Sequence, residues 1–222
     1  SDFSNEYGLV TYSTPLTLGW GRDTRDSALV PSTGRVLKFN GEWSVGGDLR
    51  YVRGTGQIQQ FYPLSKKTTL ALNGQLDLGY GTDGLSYPVL KNYTSGGLGS
   101  VRGFEQGSLT TSSQRAAVAA AGGVTSGIAP GGPKRLTLNA EVLSPLPGGG
   151  NDRTLRWFGF MDVGGIYGPN DNIQVDDLRA SVGIGISWIS PVGPLRLAFG
   201  KPIRMFDGDK IQSLAFQIGT TF

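Results

Sequence analysis

The chain has 222 residues, 36 of them glycine, a formal charge of +3 from 20 basic and 17 acidic side chains, and neither cysteine nor histidine. Without those two residue types there are no thiol nucleophiles, thiolate metal sites or imidazole bases, so no catalytic residue, metal or organic cofactor is expected. Basic residues are spread along the chain rather than clustered, so no nucleic-acid partner is expected, and no window approaches the roughly 18 consecutive apolar residues of a membrane helix.

A mean hydropathy of −0.14 would suit a water-soluble protein. It suits a transmembrane barrel equally, because there only alternate positions need be apolar. No basic, apolar leader opens the chain, and the expectation is a signal peptide removed or encoded upstream.

From the N-terminus, Ser1 to Tyr12 reads as a loop or the remnant of a strand. Leu16, Leu18 and Trp20 then alternate with Thr17, Gly19 and Gly21, and Leu37, Phe39, Trp43 and Val45 with Lys38, Asn40, Glu42 and Ser44. A period of two means a strand with one apolar and one small or polar face. A less regular run follows from Leu49 to Tyr62. In the clearest run, Leu70, Leu72, Leu76, Leu78 and Tyr80 oppose Ala71, Asn73, Gln75, Asp77 and Gly79.

From about Asp83 to Pro133 alternation lapses, and a connection that long is usually functional or disordered. Within it, Gly96-Gly97-Leu98-Gly99-Ser100 precedes Val101-Arg102-Gly103-Phe104. The glycines are no dinucleotide fingerprint: one starting at Gly97 needs glycine where Arg102 stands, and no helix pattern follows.

Alternation resumes with Leu136, Leu138, Ala140 and Val142 against Thr137, Asn139 and Glu141. Next come Leu155, Trp157, Met161 and Val163 against Arg156, Phe158, Phe160 and Asp162. Leu178, Ala180, Val182, Ile184, Ile186 and Trp188 face away from Arg179, Ser181, Gly183, Gly185 and Ser187. Leu195, Leu197 and Phe199, then Leu214, Phe216, Ile218, Thr220 and Phe222, complete nine candidate strands. Tight turns are expected at Ser65–Lys66, Pro147–Asn151 and Pro191–Gly193.

A soluble sandwich also alternates, but it would carry charge on its second face, which here is mostly Gly, Ser, Thr, Asn and Ala. Strands near ten residues match a tilted membrane crossing better than sandwich strands of about five or six. The expected fold class is therefore all-β, an antiparallel transmembrane barrel wall. Leu70, Leu76, Val182, Ile186 and Trp188 should face lipid, and Asn73, Asp77, Ser181 and Ser187 the lumen. The same parity turns Glu141 and Asp162 inward on adjacent strands, where two carboxylates repel unless a cation joins them. Arg102 is a candidate, although residue chemistry alone also allows it to be a solvated loop residue.

Val101-Arg102-Gly103-Phe104 resembles the loop motif of the BamA superfamily of outer-membrane assembly and secretion barrels. Further landmarks follow in the family's order: Glu141-Val142-Leu143-Ser144-Pro145, Phe160-Met161-Asp162-Val163-Gly164, Trp188 to Leu195, Asp207-Gly208-Asp209-Lys210 and Phe216 to Phe222. They are most similar to the assembly-factor branch from which the superfamily takes its name. The resemblance implies that residues 1–222 are the C-terminal part of a sixteen-stranded barrel, with the early strands and periplasmic repeat domains outside the chain and a long extracellular loop at about 83–133. It implies that Arg102 folds into the lumen to meet Glu141 and Asp162. It also implies that the last strand, carrying Phe216, Ile218, Gly219 and Phe222, kinks at Gly219 beside a poorly paired seam.

The function implied is a non-covalent insertase that folds β-barrel proteins into the bacterial outer membrane. Its partners would be outer-membrane lipids, nascent barrel proteins and the lipoproteins of an assembly complex. A polypeptide secretion transporter of the same superfamily and a passive porin are the alternatives, told apart by the number of repeat domains upstream. An outer-membrane hydrolase is disfavoured by the missing histidine.

Overall fold

The computed structural model of the chain describes residues 10–120, 131–147, 154–190 and 193–219. Its strands are β1 (Ser13–Asp23), β2 (Gly34–Gly47), β3 (Tyr51–Pro63), β4 (Thr69–Gly81), β5 (Gly103–Phe104), β6 (Lys134–Pro145), β7 (Leu155–Tyr167), β8 (Arg179–Ser190), β9 (Gly193–Arg204), β10 (Ile211–Gln212) and β11 (Leu214–Ile218). Nine of them form one up-and-down sheet in the order β1-β2-β3-β4-β6-β7-β8-β9-β11, every pairing antiparallel. The expected nine-stranded wall is borne out. β5 and β10 make a separate two-stranded piece. Among the described residues β1 and β11 do not pair with each other, so the wall is open.

Strand length fits a bilayer. β3, with 13 residues, extends about 43 Å at 3.3 Å per residue and, tilted near 45°, rises about 30 Å, the thickness of a hydrocarbon core. Parity decides the faces. On β4 Leu76 is 38% exposed while its neighbour Asp77 is fully buried. On β8 Val182, Ile184, Ile186 and Trp188 are exposed and Ser181 and Ser187 buried. Leu70 is half-buried on the outer side, and Asn73 turns inward to bond Gln57 and Asn139. β3 looked irregular because Gly54 and Gly56 occupy outward positions between Val52 and Ile58, which erases the apolar signal without changing the strand.

Two expectations need correction. Leu178 and Ala180 begin the apolar face of β8, yet both are buried, as is Tyr167 on the neighbouring strand. Protein covers them: the Tyr167 hydroxyl donates to the Gln174 carbonyl at 2.9 Å, so the β7–β8 connection folds over the outer face at this rim. The long connection between β4 and β6 also has structure of its own, including a 3₁₀ turn (Val89–Lys91), β5 and a helix, α1 (Ser112–Ala120). The helix has no amphipathic pattern, which is why periodicity missed it. Its start signal is a reciprocal capping box, with Gln114 N–H donating to Thr111 Oγ1 at 3.2 Å and Thr111 N–H to Gln114 Oε1 at 2.9 Å.

The turn at 64–68 closes with Leu64 and Ser65 N–H bonded to the Thr68 carbonyl. Residues 148–153 and 191–192, which hold most of the other two expected turns, lie outside the described residues, as do Thr220 and Phe222.

An arginine placed on the outer face at mid-membrane should be far costlier than one on the inner face. Ile184→Arg, at the centre of β8, is expected to destabilise the intact barrel by about 2–4 kcal/mol, against under about 1 kcal/mol for the inward Thr17→Arg. Urea titration of the barrel folded in lipid vesicles measures both, and equal costs would contradict the assignment of faces.

Candidate functional site

The β4–β6 connection runs down the inner face of the wall. Its first leg is held by Tyr87 against Tyr51, ring centroids 6.0 Å apart and edge-on. Lys91 Nζ donates to Glu42 at 2.9 Å, and the Arg53 guanidinium lies 4.4 Å above the Tyr93 ring. Deeper in, Val101, Phe104 and Leu109 pack with Tyr93 and with Ile166 of β7 in an apolar cluster. This burial fixes the backbone on both sides of Arg102, so its side chain has one direction to take.

That direction is the wall. Arg102 is 7% exposed, Glu141 6% and Asp162 0%. Nε donates to Asp162 Oδ2 at 2.7 Å and Nη2 to Oδ1 at 2.6 Å, a two-pronged pairing to which the Arg102 backbone N–H adds a third bond at 3.0 Å. Nη1 reaches Glu141 Oε1. The other Glu141 oxygen accepts from Arg196 Nη2 of β9 at 2.7 Å. Two cations and two carboxylates therefore close a neutral quartet across β6, β7, β9 and the loop. Asn139 extends it, donating to Asp162 Oδ1 at 2.9 Å and to the Ser100 carbonyl at 2.7 Å.

The arginines also rest on rings. The Arg102 guanidinium lies 3.7 Å from the Phe160 centroid and that of Arg196 4.4 Å from Phe158. Those rings lie across β8 because two of its inward positions are glycine: a Cβ at Gly183 would come within 2.4 Å of Phe160, and one at Gly185 within 2.3 Å of Phe158. The motif glycine has a comparable reason. Gly103 adopts φ +90°, and a Cβ on Gly200 of β9 would sit 2.9 Å from its nitrogen, so two backbones meet where no side chain fits. Burial alone would lower the Arg102 pKa, but hydrogen bonds and charge from Asp162 and Glu141 outweigh it and hold the guanidinium above its ordinary value.

Of the residues singled out from sequence, Val101, Arg102, Gly103, Phe104, Glu141 and Asp162 thus sit together. Phe216 and Ile218 are on β11 with exposed side chains, and Gly219 follows with φ +102°. Phe222 lies outside the described residues. Sequence reasoning missed Arg196, Asn139 and the shelf formed by Phe158 and Phe160. Parity carried a signal for Arg196, which stands between outward Leu195 and Leu197.

A meander of long strands, apolar outside and carrying a loop pinned to its inner face, defines a transmembrane β-barrel wall with an internal loop. The model of the Omp85 superfamily domain matches residues 4–222, and the chain belongs to that superfamily. It is 34% identical over 233 residues to the outer membrane protein assembly factor BamA of Neisseria meningitidis, covering 93% of this chain and 28% of that one. Against BamA of Nitratidesulfovibrio vulgaris the identity is 29% over 198 residues, covering 82% and 22%. The crystal structure of BamA from Haemophilus ducreyi lacking POTRA domains 1–3 matches with a TM-score of 0.80 at 26% identity, over 94% of this chain and 42% of that one. The chain spans about a quarter of the length of these curated relatives. The likeness places it in the bacterial outer membrane.

Removing Arg102 leaves Glu141 with Arg196 and Asp162 with Asn139, so the buried site loses a cation that both acids share. Arg102→Ala is expected to destabilise the inward position of the loop by about 3–5 kcal/mol, the usual cost of breaking a buried pair from one side. Arg102→Lys, which keeps the charge but loses the fork, should fall between Ala and the natural residue. Hydrogen exchange over Gly96–Phe104 reads both, and unchanged protection in Arg102→Ala would mean that apolar packing holds the loop without the quartet.

Proposed function

We propose that this chain is the C-terminal wall of a non-covalent insertase, which folds and inserts β-barrel proteins into the bacterial outer membrane. The observation that carries the reading is the end of β11. Leu214, Phe216 and Ile218 continue the outward alternation, the ladder to β9 runs from Leu214–Phe199 to Ile218–Leu195, and at Gly219 the backbone leaves strand geometry with φ +102°. The neighbour on the other side of β11 would be a strand outside this chain, and a last strand that bends at its end pairs poorly with that neighbour, which leaves N–H and C=O groups inside a membrane with no water to bond. An incoming strand satisfies them by β-augmentation. No bond is made or cut, so no catalytic residue is required.

In this reading Arg102, Glu141 and Asp162 are an anchor that keeps the long loop in the lumen while the seam exchanges strands. The partners are outer-membrane lipids, nascent barrel proteins, and the lipoproteins of an assembly complex. The secretion-transporter alternative sends a polypeptide through the lumen, where the pinned loop lies. A diffusion porin needs the same space open. The porin conflicts with four charged groups committed to holding that loop in place, whereas the transporter, whose superfamily shares the loop motif, is told apart by the number of repeat domains upstream.

Sealing the seam tests the proposal, and the 222 residues of this chain bring no cysteine of their own to compete. In the full-length protein, reconstituted in vesicles with its accessory partners, a disulfide joining β11 at Gln217 to the first strand should abolish insertion of a chaperone-delivered barrel, with reduction restoring it. Undiminished insertion through a sealed seam would overturn the proposal. Secretion that stops only when the loop is fixed in the lumen would favour the transporter.

A further inference from the structure

The Asp207-Gly208-Asp209-Lys210 turn plays no part in the Arg102 site, yet it is built around a second buried ion pair. Arg179 opens β8 and Asp209 lies in the β9–β11 connection, and both side chains are fully buried. Arg179 Nε donates to Asp209 Oδ2 at 3.0 Å and Nη2 to Oδ1 at 2.8 Å, again a two-pronged pairing. The same carboxylate accepts the Phe206 backbone N–H at 2.9 Å, and Asp209 N–H returns a bond to the Phe206 carbonyl at 3.1 Å. The turn is thus wound on the carboxylate that grips Arg179.

Three connections meet here. The Phe206 ring carries the guanidinium of Arg179 at 4.8 Å and that of Arg115, from α1, at 4.3 Å. Arg115 in turn pairs with Asp177 of the β7–β8 connection at 2.5 Å. Beyond Asp209 the chain is tied at almost every step. The Lys210 carbonyl accepts Glu105 N–H at 2.9 Å, Ile211 and Gln212 pair with Phe104 and Gly103, and the Ser213 carbonyl accepts Gly200 N–H at 2.8 Å. The next residue, Leu214, starts β11.

We propose that Arg179 and Asp209 are a positioning pair that fixes where the last strand begins, coupling that strand to the lumenal loop through β5 and β10. A buried ion pair is a poor source of net stability but a strong constraint on geometry, because neither charge tolerates another arrangement away from water. Few residues separate the gripped carboxylate from Leu214, and a chain reaches at most about 3.5 Å per residue, so the Leu214 end of β11 has little freedom while the pair is intact. This inference rests on reading β11 as the seam strand only for its link to insertion. The geometric claim stands apart from it.

The test uses the full-length protein in lipid vesicles. Asp209→Asn keeps the shape and removes the charge. Hydrogen exchange at Leu214–Ile218 should accelerate about tenfold or more, while Val182–Trp188 in β8 keeps its natural rate. An engineered disulfide, Glu105→Cys with Lys210→Cys, fixes the residue after Asp209 to the lumenal loop covalently and should restore slow exchange at β11 in the Asp209→Asn background. If Asp209→Asn does not fold, Arg179→Met with Asp209→Leu replaces the pair by apolar side chains of similar volume, which buried sites commonly accept. It should fold and show the same selective acceleration. Natural exchange at β11 in these variants would overturn the proposal. So would equal acceleration across β8 and β11, since the pair would then be a general stabiliser. Insertion assayed in parallel separates the two ideas: selective loosening of β11 with unchanged insertion upholds the positioning pair and counts against β11 as the working seam.

Discussion

Two carboxylates on the inside of a barrel wall cannot stay there alone. Glu141 and Asp162 lie on neighbouring strands, both almost without solvent, and burying one bare carboxylate costs several kcal/mol even after relaxation. The wall gives Glu141 a cation in Arg196. The cation that both acids share, Arg102, comes from outside the sheet and brings with it the segment of loop to which it belongs. The loop's place in the lumen is in this sense a demand of the wall. The features around it, rings lying across glycines and a glycine crossing where no Cβ fits, are the steric conditions for a planar guanidinium to reach both acids at once. A lysine has the charge but not the fork, and this site asks for two bonds in one plane to Asp162 and a third to Glu141.

How far such an arrangement can be read from sequence depends on the range of the forces involved. Alternation is local, so the long strands and their two faces were legible, and they failed only where the outward position is glycine, as at Gly54 and Gly56, or where another segment covers it, as at Leu178 and Ala180. Arg102, Glu141 and Asp162 came from the motif and from parity together. Parity alone says that Arg196 and Arg179 point inward. It cannot say what they meet, because Arg179 finds Asp209 only after two connections have folded over the rim. The helix at Ser112–Ala120 is a different case. Its start signal was in plain sight at Thr111 and Gln114, but an alanine-rich helix without an apolar face leaves no periodic trace.

The two ion-pair sites share a construction. Each sets a forked arginine against a buried carboxylate and stacks the guanidinium near an aromatic ring; the first joins the β4–β6 connection to the sheet and the second joins the β9–β11 connection to it. Between them lies the short β5–β10 ladder, whose β5 residues follow Arg102 and whose β10 residues precede Leu214. Lumen, rim and last strand are therefore one mechanical path rather than three features. A path of hydrogen bonds and buried charges transmits position, because its members have few alternative arrangements.

This bears on where movement can occur in the proposed mechanism. If β11 is held at its Leu214 end by the rim pair and along its length by β9, opening a seam beside it calls for displacement of whatever lies on its other side. That is the cheaper motion on physical grounds. Moving β11 would break the ladder to β9, unseat β10 from β5, and separate Arg179 from Asp209, leaving each charge buried without its partner. The bend at Gly219 leaves these contacts in place, since the glycine adopts φ +102° without strain, lies past the last ladder pair at Ile218 and still donates its N–H to the Pro194 carbonyl at 2.8 Å. In the proposed mechanism the C-terminal wall is then the fixed jaw of the seam, with its bend placed at Gly219.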